Sequence, residues 1–224
     1  MNKSKFDGFV NRYNLGGEIE SVMVKSDDTN LSVRMISDDK TLLGDVTVVG
    51  GEFPNGEFGI YTTSQLDESI AVEEVTGALK FSDKKTKVQY MLAAPSVIPA
   101  VPDLKALPSF DTEVSLDDDF VNKFIKSKGV LSDSDTFTFT VKGGKAEIIL
   151  GYSSINSNRI SIAVEATAKE DIEPIAFSAK YLKAILMANK GSKSSSLKIS
   201  SKGLSHVAFV DGDYTSNYYL VEIK

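Results

Sequence analysis

Near the start of the chain, Phe6, Phe9, Val10 and Tyr13 fall at positions i, i+3, i+4 and i+7. That spacing predicts one apolar stripe of a short helix, which Gly16-Gly17 ends. Lys5 and Arg12, seven residues apart, share a flank of it. The period then changes from helical to alternating. The runs Ile19 to Val24, Leu31 to Ile36, Leu42 to Val49 and Phe58 to Thr62 are punctuated by Asp27-Asp28, Asp38-Asp39 and Gly50-Gly51, and they predict a meander of strands. Thr63 to Ser69 predicts a brief second helix capped by Thr63 or Ser64, with three more strands near Ala71 to Val75, Ala78 to Phe81 and Lys87 to Leu92.

Four of the six prolines, Pro95, Pro99, Pro102 and Pro108, then crowd into fourteen residues. Proline density predicts an extended, stiff connector over 95–109. After it the plan repeats. A lead-in strand near Phe110 to Ser115 precedes a helix with Leu116, Phe120, Val121, Phe124 and Ile125 on its apolar face and Lys123 and Lys126 on the other. Strands at Thr136 to Val141, Ala146 to Tyr152 and Ile160 to Glu165 follow, the first two joined by a hairpin turn at Gly143-Gly144. Ser178 to Asn189 predicts a fourth helix that buries Ala179, Leu182, Ile185 and Leu186 and turns Lys180, Lys183 and Met187 away, with Gly191 as its stop. Strands at Ser195 to Ser200, Leu204 to Val210 and Tyr218 to Ile223 close the chain.

Local sequence echoes support a tandem duplication. Asp7 to Tyr13 matches Asp118 to Phe124, Leu79 to Lys84 matches Leu197 to Lys202, and Tyr90-Met91-Leu92 matches Tyr218-Tyr219-Leu220, at offsets of 111, 118 and 128. Collinear matches with widening offsets imply two equivalent domains, the second with longer loops. The expected organisation is α+β: a β-rich domain over 1–94, the connector over 95–109 and a second β-rich domain over 110–224, each domain with two short helices.

Composition narrows the chemistry. The absence of cysteine removes disulfides, zinc-thiolate sites and a thiol nucleophile, and fits a reducing compartment. The start lacks an apolar signal region, and the longest uncharged run, Val88 to Pro102, is too short and too rich in proline to span a bilayer, so a soluble intracellular protein is expected with no membrane partner. His206, the one histidine, offers no base-and-orienter pair for acyl transfer, and its strand setting points to a surface or packing residue. Asp117-Asp118-Asp119 begins a helix, where acids complement the dipole. Asp211-Gly212-Asp213 lacks the other ligands of a calcium loop and predicts a hairpin turn. Gly191-Ser192-Lys193-Ser194 leaves a helix rather than entering one, so it is a poor phosphate loop. No enzyme, cofactor or metal site is expected.

What remains is cations placed on helices. Lys3, Lys5 and Arg12 lie on or beside the first, Lys123, Lys126 and Lys128 on the third, and Lys180, Lys183 and Lys190 on the fourth. A formal net charge of −6 opposes nucleic-acid binding as a whole-surface sum, yet repeated helices facing one way would gather these cations locally.

With the helix at Phe9-Val10 and its copy at Phe120-Val121, the connector Pro95 to Pro108, the segment Phe177 to Leu182 and the final Tyr218-Tyr219-Leu220-Val221, the chain resembles the DNA polymerase sliding clamps. The likeness spans essentially all 224 residues and is strongest to the trimeric clamp of T4-like bacteriophages, more distant to the archaeal and eukaryotic proliferating cell nuclear antigen. The resemblance implies the DNA clamp fold, a homotrimer closed as a ring of six domains with helices lining a hole, encircling duplex DNA without reading bases. It implies a replicative DNA polymerase tethered as client, a clamp loader ATPase that opens the ring, and a possible link to viral late transcription in the cytoplasm of an infected bacterial host cell. The nine helix cations above would then face DNA. A partner peptide would dock at Leu42, Leu43, Val97, Ile98, Val101, Tyr219 and Val221. The second helix, around Gln65, Asp67 and Glu68, has no basic residue and would add little. The rival readings are a duplicated β-rich virion or assembly protein and, more weakly, a hydrolase using the acidic turns.

Overall fold

The computed structural model describes residues 3–50, 53–63, 71–75, 77–82, 87–104, 106–153, 155, 158–168 and 170–224. The chain forms two compact units. Unit 1 takes Met1–Asp38, Leu43–Pro102 and Asp211–Ser216; unit 2 takes Asp39–Leu42, Asp103–Val210 and Asn217–Lys224. The proline-rich connector is thus shared, with Pro102 the last of its residues in unit 1.

Unit 1 begins with helix α1 (Lys3–Asn14). Strands β1 (Val22–Ser26), β2 (Asn30–Ile36), β3 (Leu42–Val49) and β4 (Gly56–Ile60) form an antiparallel array in the order β4-β1-β2-β3. The register sets Val24 opposite Val33 and Val22 opposite Ile60, and the alternation of buried and exposed positions follows the pleat. Phe9 and Tyr13 of α1 are fully buried, and Phe6 stacks on Phe53, which meets Phe58 of β4 edge-on. A second sheet contains β5 (Ala71–Val75), β6 (Ala78–Ser82) and β7 (Lys87–Met91) in that order. Of the second helix expected over Thr63 to Ser69, residues 64–69 lie outside the described residues.

Unit 2 opens with β8 (Thr112–Ser115) and helix α2 (Asp118–Val130). The Asp117 side chain accepts the Phe120 N–H at 2.7 Å, and Asp118 and Asp119 occupy the first turn, so the acidic triplet caps the helix as expected. Strands β9 (Thr136–Lys142), β10 (Lys145–Leu150), β11 (Ile160–Val164) and β12 (Ile172–Ser178) assemble in the order β11-β10-β9-β12. Gly143 and Gly144 at the β9–β10 turn have φ of 57° and 75°, the left-handed pair that a tight hairpin needs. Helix α3 (Ala179–Ala188) starts where Ser178 accepts the Tyr181 N–H. Strands β13 (Ser194–Ser200), β14 (Leu204–Asp211) and β15 (Tyr214–Val221) follow, with β14 between β15 and β13 and β8 beyond β13. A chain of rings, Phe120, Phe124, Phe137 and Phe177, ties α2 to the β9–β12 array.

The topology carries the duplication. The order β4-β1-β2-β3 repeats as β12-β9-β10-β11, and β5-β6-β7 repeats as β13-β14-β15. Two echoes fit this mapping, because Asp7 to Tyr13 and Asp118 to Phe124 lie in the helix regions α1 and α2, and Tyr90 and Tyr218 in β7 and β15. The third does not. Leu79 lies in β6, a middle strand, while Leu197 lies in β13, the counterpart of β5. Their likeness is the ordinary alternation of half-buried strands. Strand β12 was not expected from the sequence: its register with β9 shifts between Ile172 and Ile175, across Glu173-Pro174, where proline lacks the N–H a regular ladder uses. Strand β15 begins at Tyr214, four residues before the expected start.

Replacing Asp117 with alanine removes the α2 cap. The expected loss is about 1 kcal/mol of unfolding free energy, read as a lower urea midpoint with an unchanged m-value.

Candidate functional site

Two α1 cations, Lys5 and Arg12, are engaged within unit 1. Arg12 is 9% exposed; its Nη2 donates to Asp211 Oδ2 at 2.9 Å, its Nη1 to the Gly8 carbonyl at 3.0 Å, and its guanidinium lies 4.0 Å from the centre of the Tyr214 ring. Lys5 Nζ reaches Asp213 Oδ2 at 2.6 Å, and the Tyr214 hydroxyl donates to the Lys5 carbonyl at 2.9 Å. A Cβ on Gly8 would sit 2.6 Å from that hydroxyl, so the helix approaches the tyrosine through a glycine. Burial raises the Tyr214 phenol above its ordinary pKa. Asp211-Gly212-Asp213, the expected hairpin turn between β14 and β15, is therefore a clasp on α1. Arg12, expected to face DNA, is buried and ion-paired instead, and Lys5 is largely covered. The Lys3 side chain lies outside the described residues.

On α2, Lys123 is exposed and pairs with Asp119 one turn back; that hydrogen bond holds its ammonium above the usual lysine pKa. Lys126 is exposed, and Lys128 Nζ donates to the Ser132 carbonyl. On α3, Lys180 is exposed with its Nζ 4.6 Å from the centre of the Tyr181 ring, Lys183 is half-buried, and Lys190 just past the helix is exposed. Helices α2 and α3 pack against each other, so unit 2 brings two of the expected cation groups onto one helix pair.

The expected peptide-docking residues divide. Pro95–Val97 forms a single 3-10 turn, and the following chain lies over β1 and β2, where Arg34 Nη2 donates to the Pro102 carbonyl at 2.6 Å. Between them is a cavity of about 360 Å³ lined by Ile98 and Val101 together with Met23, Val33, Lys25 and Arg34. Val97 is 54% exposed. Leu42 and Leu43, by contrast, are core residues of β3 at 0% and 9% exposure, and Tyr219 is buried under the His206 ring at 4.6 Å. Those three side chains offer no surface to a partner as they stand. Val221 is half-buried, its N–H bonded to the Thr41 carbonyl at 2.9 Å. The sequence reading missed Met23 and Arg34, which face each other across β1 and β2. Their signal was Met23 itself, a large apolar residue on the strand face that Lys25 marks as outward.

His206 is a packing residue, stacked on Tyr219 and placed with Nε2 3.1 Å from Asn217 Oδ1. Among the described residues no group of three or more acids or histidines is arranged to hold a metal ion.

Comparison with solved structures gives full-length matches. The proliferating cellular nuclear antigen of Entamoeba histolytica superposes with a TM-score of 0.74 at 13% identity, covering 99% of this chain and 96% of that one. The PCNA of A. fulgidus, bound to the C-terminal region of FEN-1, gives 0.74 at 16% identity, covering 100% and 97%. No family model and no curated protein matches the sequence. The chain has the α+β DNA clamp fold.

Replacing Asp211 with alanine leaves the buried Arg12 guanidinium without its carboxylate. The expected cost is about 1–3 kcal/mol, between exposed and fully buried pairs. Urea unfolding measures it, and amide exchange in α1 should accelerate while α2 is unchanged.

Proposed function

We propose that the chain is a sliding clamp that encircles duplex DNA and tethers a DNA polymerase as its processivity factor. The observation that carries this reading is the clamp fold over the whole chain, with the duplicated topology intact in both units. A ring of such units holds DNA by topology, so its contacts with phosphate are weak, independent of sequence and sensitive to salt. Exposed lysines on α2 and α3 suit that demand. Tight, geometrically fixed contacts would arrest sliding.

The finer reading is a homotrimer of the T4-like bacteriophage kind, working in the cytoplasm of an infected bacterium, opened by a clamp loader ATPase and able to support late transcription. Three two-domain protomers make six repeats, and a heterologous head-to-tail contact closes such a ring by rotation. One of the clamps of similar fold carries the C-terminal region of FEN-1. A client peptide of this chain would use the apolar cavity beneath the connector, lined by Ile98, Val101 and Met23. Tethering raises the client's effective concentration at the primer end without strengthening any contact with DNA.

Loading the protein on nicked circular duplex, with a clamp loader and ATP present to open the ring, is the direct test. It should co-elute with the circle in size-exclusion chromatography and be released when the same DNA is linearised; equal loss from both forms would remove the encircling role. The free protein should have a solution mass of about three times the 24.3 kDa protomer. Replacing Val101 with aspartate should weaken polymerase stimulation at least about tenfold and leave retention on the circle unchanged.

A further inference from the structure

The connector crosses unit 1 between two attachments of different kinds. At its entry the Ala93 N–H donates to the Gly59 carbonyl at 2.8 Å, an isolated antiparallel bridge to the outer strand β4, and the Leu92 N–H donates to the Gly77 carbonyl at 3.0 Å. A Cβ on Gly59 would collide with the Ala93 carbonyl oxygen, so the two backbones approach this closely only through a glycine. At its exit the connector is held by a side chain: Arg34, exposed on β2, donates to the Pro102 carbonyl at 2.6 Å.

Between these points, among the described residues, no backbone group from 94 to 101 bonds to the sheet. The backbone bonds of the span are local, from the Val97 N–H to the Ala94 carbonyl at 3.0 Å and from the Ile98 N–H to the Pro95 carbonyl at 3.2 Å. Pro95 and Pro99 have no N–H to offer a ladder. Ile98 has φ −84° and ψ 133°, close to polyproline II, a stiff helix that repeats every three residues. Ile98 and Val101 therefore share one edge and lie half-buried over the 360 Å³ cavity, while Val97 and Ala100 stay exposed. The span is seated by side chains alone.

We infer that the connector is a latched strap and that Gly59 and Arg34 are its positioning residues: the Gly59–Ala93 bridge is the standing end, the Arg34–Pro102 bond is the latch, and the cavity opens from the Pro102 side. The inference rests on the reading of this cavity as the client site and adds the direction from which a client enters. The exit depends on a long, exposed side chain that regains many rotamers when it lets go. The entry depends on two backbone bonds and a close backbone contact, so it is the end that holds. The stiff span then lifts as one piece, carrying Ile98 and Val101 away from Met23.

Because the chain has no cysteine, Met23→Cys places a single thiol in the cavity, and its labelling rate by iodoacetamide reports lifting of the strap. In that background Arg34→Met should raise the rate about tenfold, and Arg34→Lys, which keeps a donor, should stay within about twofold of the parent. Amide exchange at Ala93 should be unchanged in Arg34→Met and about fivefold faster in Gly59→Ala. An Arg34→Met protein that labels at the parental rate, or an Arg34→Lys protein that labels as fast as Arg34→Met, overturns the inference. So does an Arg34→Met protein in which Ala93 exchange accelerates as much as labelling, since the connector would then detach at both ends. If Gly59→Ala fails to fold, Ala93→Pro removes the same N–H donor without adding an atom to β4; it should label about fivefold faster, and parental labelling there counts equally against the strap. Labelling needs no client, so the client reading fails separately, when Val101→Asp leaves polymerase stimulation unchanged.

Discussion

A helix of ten to thirteen residues is marginal in water, so each helix here depends on the aromatic and aliphatic side chains it buries. Phe9 and Tyr13 serve α1, Phe120 and Phe124 serve α2, and Tyr181, Leu182, Ile185 and Leu186 serve α3. Full burial of one such side chain contributes roughly 1.5–3 kcal/mol, enough to decide both whether the helix forms and how it is rotated about its axis. Rotation is the functional variable. Once the apolar flank is fixed, the identity of the residue three or four positions away settles what solvent meets.

The two units solve that problem with the same topology and use the outer flank differently. In unit 2 the flank stays open and carries lysines. In unit 1 the hairpin tip Asp211 to Tyr214 covers the flank, and Gly8 lets the Tyr214 hydroxyl close on the helix backbone. The covering adds two ion pairs and a guanidinium-ring contact, which hold the first helix of the chain against fraying. It also removes two cations from the surface. Among the described helices, α1 is anchored by this clasp while α2 and α3 carry exposed lysines.

Periodicity made most of the fold legible. Strand β3 runs Leu42–Val49 as the alternation predicts, and α2 and α3 lie where their apolar stripes place them. The failures have physical causes. Strand β12 was hidden because Pro174 reads as a breaker, whereas the fold absorbs it at a bulge. Arg12 reads as a surface cation because its neutralising partner is 199 residues away, beyond any local pattern. Leu42 and Leu43 show the same blindness in reverse: two adjacent leucines in a strand must point to opposite faces, and sequence alone does not say that both faces are covered. In the connector, Ile98 and Val101 are half-buried and line a cavity with Met23 and Arg34.

The acidic balance of the chain is compatible with a cationic helix pair because charge acts locally in salt. At physiological ionic strength the screening length is about 8 Å, less than the length of α3, so a phosphate beside Lys183 or Lys190 responds chiefly to groups within a turn or two. Those groups include no acid of the segment 178–190. Carboxylates elsewhere set the net charge of −6 and oppose nonspecific association with other faces. The neutralisation of Lys5 and Arg12 follows the same logic at shorter range: Asp213 and Asp211 lie within 3 Å of them, where screening by mobile ions is least effective. Among the described side chains, position relative to acids, more than the count of basic residues, therefore decides which helix cations are neutralised.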